Sequence, residues 1–131
     1  MNAYRSVGVY GGVEDADGQR LIQLLLDGAV GAIQTAGAHL ERSDLPAKAR
    51  ELSRAVNIVD TLRANLDHDS GGEIAANLER LYDYLARRLT LANAGNDAEA
   101  MQESVALLSQ IRDAWAAIGE QTSADALTAV R

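Results

Sequence analysis

Ser70-Gly71-Gly72-Glu73-Ile74-Ala75-Ala76-Asn77-Leu78-Glu79-Arg80-Leu81-Tyr82-Asp83-Tyr84-Leu85-Ala86-Arg87-Arg88-Leu89 is the stretch that decides the fold. From Ile74 onward the apolar residues Ile74, Leu78, Leu81, Leu85, Leu89 and Ala92 fall three or four positions apart. That recurrence builds one face of an α-helix and no face of a strand. Ser70 and Glu73 stand at the Ser-x-x-Glu spacing in which hydroxyl and carboxylate each satisfy a free backbone donor, so the spacing predicts a helix opening there. Its predicted end is Ala94-Gly95.

The same reading extends in both directions. Upstream, Ile22, Leu25, Leu26, Ala29, Ile33, Ala36 and Leu40 predict a first helix over 17–42, with Asp17 as its cap. Ser43-Asp44-Leu45-Pro46 interrupts it, because proline lacks the interior N–H yet suits a first turn. A second helix is predicted from Pro46, with Leu52, Ala55, Val56, Val59, Leu62 and Leu66 inward, ending in Asp67-His68-Asp69. Downstream, Asn96-Asp97-Ala98-Glu99 repeats the capping logic, and Met101, Val105, Leu108 and Trp115 carry a fourth stripe to about Ile118 and Gly119. A short further helix capped by Ser123 is expected within 120–131. Residues 1–15, with Val7, Val9 and Val13 among glycines 8, 11 and 12, read as an extended flap or tail. Four helices on links of a few residues must run antiparallel. The expected architecture is all-α: one domain holding an antiparallel up-down four-helix bundle over 17–118, a flap over 1–15 and a tail over 119–131.

Composition agrees and excludes several classes of function. Alanine (24) and leucine (17) dominate the 131 residues, with a single proline, a balance that favours helix. Twelve basic against nineteen acidic residues leave a formal charge of −7, which repels nucleic-acid phosphates and anionic lipid. The absence of cysteine removes disulfides, thiol nucleophiles and zinc-thiolate or iron–sulfur sites, and fits a reducing cytoplasm. Residues 21–40 hold one charge, Asp27, but Gln23, Gln34, Thr35, His39 and three glycines make them too polar for a bilayer. The N-terminus lacks the basic-then-apolar build of a signal peptide. A soluble cytoplasmic protein is expected.

No catalytic or cofactor constellation emerges. A di-iron bundle needs Glu-x-x-His pairs, but Ala36 precedes His39 by three positions and Asn65 precedes His68. His68 between Asp67 and Asp69 reads as a solvated polar turn. His39 is the residue a phosphotransfer bundle would use, and His39-Leu40-Glu41-Arg42 offers no lysine to balance a phosphoryl charge. Walker and Gly-x-Ser-x-Gly motifs are absent.

A surplus of apolar surface is more telling. Leu107, Ile111, Ala114 and Ile118 form a second stripe beside the fourth core stripe. Ile58 lies off the second helix's seam near Asn57, Thr61 and Asn65, Tyr82 sits beside Leu78 and Leu85, and Leu21 and Leu24 stand outside the first helix's main stripe. Each helix of a bundle touches two neighbours, so any one of these residues reads as ordinary core. Taken as a set, the surplus predicts a groove for an amphipathic partner helix, with Tyr4, Val7, Val9 and Tyr10 of the flap covering it when empty, or else a homodimer contact.

In order and spacing, these pieces resemble the flagellin export chaperones, the FliS family. The matching blocks are Leu21-Ile22-Gln23-Leu24-Leu25-Leu26-Asp27-Gly28-Ala29, then Gly71 through Tyr84, Arg87-Arg88-Leu89, Ala92-Asn93 with Asn96-Asp97, and Ile111-Arg112-Asp113-Ala114-Trp115. Two departures stand out: Asp17-Gly18 replaces the family's usual Ser-Pro, and Leu26 stands where many members have tyrosine. The resemblance implies a four-helix bundle without enzymatic activity or cofactor. It would bind the disordered C-terminal segment of flagellin in the cytoplasm, block premature filament assembly and deliver the subunit to the flagellar type III export apparatus. It also implies a flap role for Tyr4 and Tyr10 and groove-lining roles for Ile58, Leu62 and Asn65. The apolar surplus adds Leu78, Tyr82, Leu107 and Ile111. Asn93 and Asp97 are expected to serve the turn between the third and fourth helices.

Overall fold

The structure, a computed structural model, describes residues 9–11 and 16–130, with side chains through residue 120. Four helices account for nearly all of it: α1 (Ala16–Glu41), α2 (Leu45–Ala64), α3 (His68–Gly95) and α4 (Ala98–Val130). The links 42–44, 65–67 and 96–97 are too short to cross the molecule, so successive helices reverse direction. α1 packs on α2 and α4, and α3 packs on the same two, which closes a four-cornered up-down bundle.

Local chemistry explains the boundaries. Asp44 caps α2 by accepting from the Ala47 N–H at 3.2 Å, with Pro46 in the first turn. Asp97 does the same for α4 through the Ala100 N–H at 3.1 Å, as its spacing predicts. α3 opens earlier than the sequence implies. Its cap is Asp67, whose side chain accepts from the Ser70 N–H at 3.0 Å, so His68 and Asp69 belong to the first turn. The helix then breaks at Gly72, whose φ of 51° and ψ of −127° suit only glycine. The predicted start at Ser70 therefore marks a kink, with a separately capped turn in front of it. At the other end the left-handed residue is Asn96, one position beyond the Gly95 stop. α4 runs without interruption to Val130, so residues 120–130 are helical as a continuation of α4.

The core is built from Ile22, Leu26, Val30 and Ile33 of α1, Leu52, Val59 and Leu62 of α2, Tyr82, Leu85 and Leu89 of α3, and Met101, Leu108 and Trp115 of α4. α1 has the length and hydropathy of a membrane-crossing helix. The bundle uses part of that apolarity, since Ile22, Leu26, Ala29, Val30, Ala32, Ile33 and Ala36 are buried among the helices while Leu21 and Leu24 are exposed. α3 and α4 make the least contact of the four neighbouring pairs. What fills the space between them is the N-terminal segment.

Candidate functional site

Val9, Tyr10 and Gly11 lie along the α2–α3 link in a one-bridge antiparallel pairing of Tyr10 with Leu66. The Gly11 N–H donates to the Asn65 carbonyl at 3.0 Å, and the Asp67 N–H donates to the Val9 carbonyl at 2.6 Å. These two bonds aim the Tyr10 side chain down between α3 and α4, where it is almost fully buried. Its hydroxyl is hydrogen-bonded to that of Tyr82, and its ring stands edge-on to Trp115. Burial pushes the Tyr82 phenol up to about 12, partly offset by the bond from Tyr10, and raises Tyr10 further still. Both are neutral at physiological pH, so the pair seals the bundle as a hydrogen-bonded polar contact without buried charge.

Trp115 is itself held in place. Its indole N–H donates to the Gln19 carbonyl at 2.9 Å, and the Gln19 amide donates back to the Trp115 carbonyl at 2.9 Å. This reciprocal pair ties the start of α1 to α4. Val9 rests on Gly71, where a Cβ would lie 3.2 Å from the Val9 Cα. The glycine is what lets the segment's backbone come that close.

Beneath and beside this segment is a cleft of 320 Å³ between α3 and α4, lined by Val9, Tyr10, Leu26, Ile74, Leu78, Gln110, Ile111, Ala114, Trp115 and Ile118. Among the described residues no ionisable carboxylate or cation lines it. Ile74 at its mouth is 58% exposed, a large apolar residue left to water. At the opposite end of α3 the two helices are tied by polar contacts: the Tyr84 hydroxyl and the Arg88 guanidinium each donate to Glu103 at 2.9 Å. Arg88, then Tyr84, holds the Glu103 carboxyl below its usual range. A separate 640 Å³ groove lies between the C-terminal half of α1 and the start of α4, around Ile33, Leu40, Met101 and Val105.

The structure brings together three of the residues singled out from sequence: Tyr10, Leu78 and Ile111 share the cleft. Leu107 is half-buried against the core one turn before Ile111. Leu62 and Tyr82 have no exposed surface: Leu62 packs in the core, and Tyr82 is the floor on which Tyr10 sits. Ile58 is distant from the cleft on the outer side of α2, facing Gly28 of α1. The Asn65 side-chain amide donates to the Thr61 carbonyl at 2.8 Å, so it closes α2, while its backbone carbonyl holds Gly11. Asn93 accepts two bonds from Lys48, and Asp97 caps α4. Tyr4 lies outside the described residues. Val9 lines the cleft as the flap reading expects, whereas Ile74 and Gly71 carry no site role in the sequence reading, and for Gly71 the Gly71-Gly72 doublet is the available signal. Among the described residues no group of three or more His, Asp or Glu side chains is arranged to hold a metal ion.

The family model described as Flagellar protein FliS matches residues 1–122. The chain belongs to the FliS family. A curated relative named flagellar secretion chaperone FliS, from Salmonella typhimurium, is 47% identical over 124 residues, covering 94% of this chain and 92% of the relative. Flagellar secretion chaperone FliSB of Pseudomonas aeruginosa is 39% identical over 115 residues, covering 88% and 91%. Flagellar secretion chaperone FliS of Bacillus subtilis is 32% identical over 103 residues, covering 79% and 76%. The FliS match spans α1, α2, α3 and most of α4, and so takes in the whole cleft.

Proposed function

We propose that this chain is a non-enzymatic flagellar secretion chaperone. It binds the disordered C-terminal segment of flagellin in the cytoplasm, prevents its premature polymerisation and delivers it to the flagellar type III export apparatus. Membership of the FliS family, whose relatives carry the name flagellar secretion chaperone, supports the class. The observation that carries the binding step is the apolar cleft between α3 and α4, covered, among the described residues, by a segment held through two backbone bonds and one aromatic side chain.

The physical basis is coupled folding and binding. An unfolded segment that forms an amphipathic helix on the bundle buries its apolar side chains against Leu78, Ile111 and their neighbours. The cost of ordering lowers the net affinity, so the cargo stays removable for export. Occupying the cleft fully requires Tyr10 to leave Tyr82 and Trp115, which makes the N-terminal segment a competitor of the cargo.

Calorimetry and circular dichroism with the cognate flagellin's C-terminal segment test the reading. Saturable binding with a gain of helix is expected, weakened about tenfold or more in Ile111→Asp. Wild-type protein that leaves the segment unbound and unfolded would remove the assignment, and dimerisation through the cleft seen by sedimentation would favour the homodimer instead.

A further inference from the structure

Gly119 is expected from sequence to end the fourth helix, yet α4 runs through it without a positive φ and on to Val130. A glycine inside a helix is a cost, since alanine holds the same backbone better. What lies on Gly119 explains it. A Cβ there would overlap Gln19 Nε2 and would stand 3.0 Å from Gln19 Cδ and 3.2 Å from Gln19 Cγ. The carboxamide of Gln19 therefore rests on α4 in a socket that a single methyl group would close.

From that socket the Gln19 amide donates to the Trp115 carbonyl, while the Trp115 indole donates to the Gln19 backbone carbonyl. The side chain adds little net stability. Its Oε1 is buried with no hydrogen-bond partner among the described residues, so one bond is made and one acceptor is desolvated, effects of opposite sign and similar size. A contact that returns so little to the fold while fixing one neighbour's orientation calls for an explanation other than stability. The neighbour is Trp115, which is 5% exposed, walls the α3–α4 cleft and meets Tyr10 edge-on. Gly18 lies in the first turn of α1 and weakens it locally, so the backbone carbonyl that holds the indole leans on the same clamp.

We infer that Gln19, seated on Gly119, is the positioning residue for Trp115, and that it raises affinity for cargo by holding the cleft wall in its binding orientation before the cargo arrives. This rests on the chaperone reading above and adds to it a residue that acts from behind the cleft. Without the clamp the indole has to be ordered as the cargo binds. Immobilising one such side chain weakens binding by about two- to tenfold.

The test reads two quantities on the full chain. Affinity for the cognate flagellin C-terminal segment is measured by calorimetry with Tyr10→Ala as the parent, so that competition by the N-terminal segment does not mask the effect. Hydrogen exchange of the indole N–H is followed by NMR with Tyr10 in place, as a single resonance because Trp115 is the sole tryptophan. Gln19→Ala is expected to bind the segment about two- to tenfold more weakly and to exchange the indole N–H severalfold faster, with little change in the urea midpoint. Gly119→Ala should do the same in a better helix former, because the flexible carboxamide gives way to the methyl. Both changes together should be no worse than either alone, since each removes the same contact. Parent-like affinity in either folded variant overturns the inference and leaves the chaperone reading standing, as does indole exchange at the wild-type rate. A loss of affinity matched by an equal loss of global stability overturns it too, because that is a structural role. A parent chain that binds no segment overturns both.

Discussion

The Tyr10 ring stands edge-on to the Trp115 indole, with centroids 5.3 Å apart and planes at 85°. It is the arrangement in which the positive edge of one ring meets the negative face of the other. Trp115 is the sole tryptophan, so its emission reports whether the N-terminal segment is seated. Tyr10→Ala is expected to red-shift that emission as water reaches the indole, and addition of a flagellin C-terminal segment to the wild type should shift it the same way. A fluorescence spectrum unchanged on saturation with cargo would show that Tyr10 stays in place.

The two phenol hydroxyls are coupled, and the coupling can be measured. Tyr10→Phe leaves the buried Tyr82 hydroxyl without its partner, at an expected cost of about 1–3 kcal/mol. Tyr10→Phe with Tyr82→Phe removes both polar groups and should recover part of that loss. Urea unfolding of the two single variants and the double variant gives the interaction energy as a thermodynamic cycle.

High pH should dissociate the same contact. Tyr82 titrates near 12 in the folded chain against about 10 when unfolded, because burial disfavours the phenolate. Folding therefore excludes ionisation, and the stability it contributes is complete below about pH 10 and is lost as pH rises towards 12. The shift corresponds to roughly 2–3 kcal/mol. Thermal melts between neutral and strongly alkaline pH should show a falling midpoint that Tyr82→Phe lessens and Tyr10→Phe with Tyr82→Phe flattens further.

Gly71→Ala addresses the seat without touching the tyrosines. The added methyl would lie 2.8 Å from the Ala75 Cβ and 3.2 Å from the Val9 Cα, so the segment must move. Weaker seating should raise cargo affinity, because less of the binding free energy is spent displacing Tyr10. Calorimetry that finds equal or lower affinity in a folded Gly71→Ala protein would argue against the segment as competitor.

Lys48 provides a stability test remote from the cleft. Lys48 is 3% exposed, and its ammonium donates to both the backbone carbonyl and the side-chain oxygen of Asn93, each at 2.7 Å. It thereby ties the start of α2 to the end of α3, where a cation also complements the helix dipole. Lys48→Met keeps the stem and removes the donors, with an expected loss of about 1–3 kcal/mol in urea unfolding and no effect on Trp115 emission.

Much of the fold was legible in the chain because its signals are local. The periodicity of Leu52, Val59 and Leu62 or of Leu85 and Leu89 names a buried face before any neighbour is known. Asp97 and Pro46 mark boundaries by chemistry that acts within a turn. Ser70 misled for the same reason: the Ser-x-x-Glu spacing was present, but a second cap, Asp67, lay just ahead and Gly72 allowed two helical pieces to join at a kink. The site was harder to read. Leu78 and Ile111 were found because a second stripe is visible in sequence, whereas Tyr82 and Leu62 lie on stripes of the same appearance and are wholly buried.

The order of apolar residues, caps and breaks along the chain was enough to establish four antiparallel helices and an excess of apolar face. Which part of that excess is covered depended on distances between helices that no local pattern encodes. α3 and α4 stand far enough apart to admit Tyr10 as a wedge, so Tyr82 became its floor and Ile74 was left at the rim. Helical period specifies the direction in which a side chain points, but whether it meets protein or water is decided by what the rest of the chain brings to that spot.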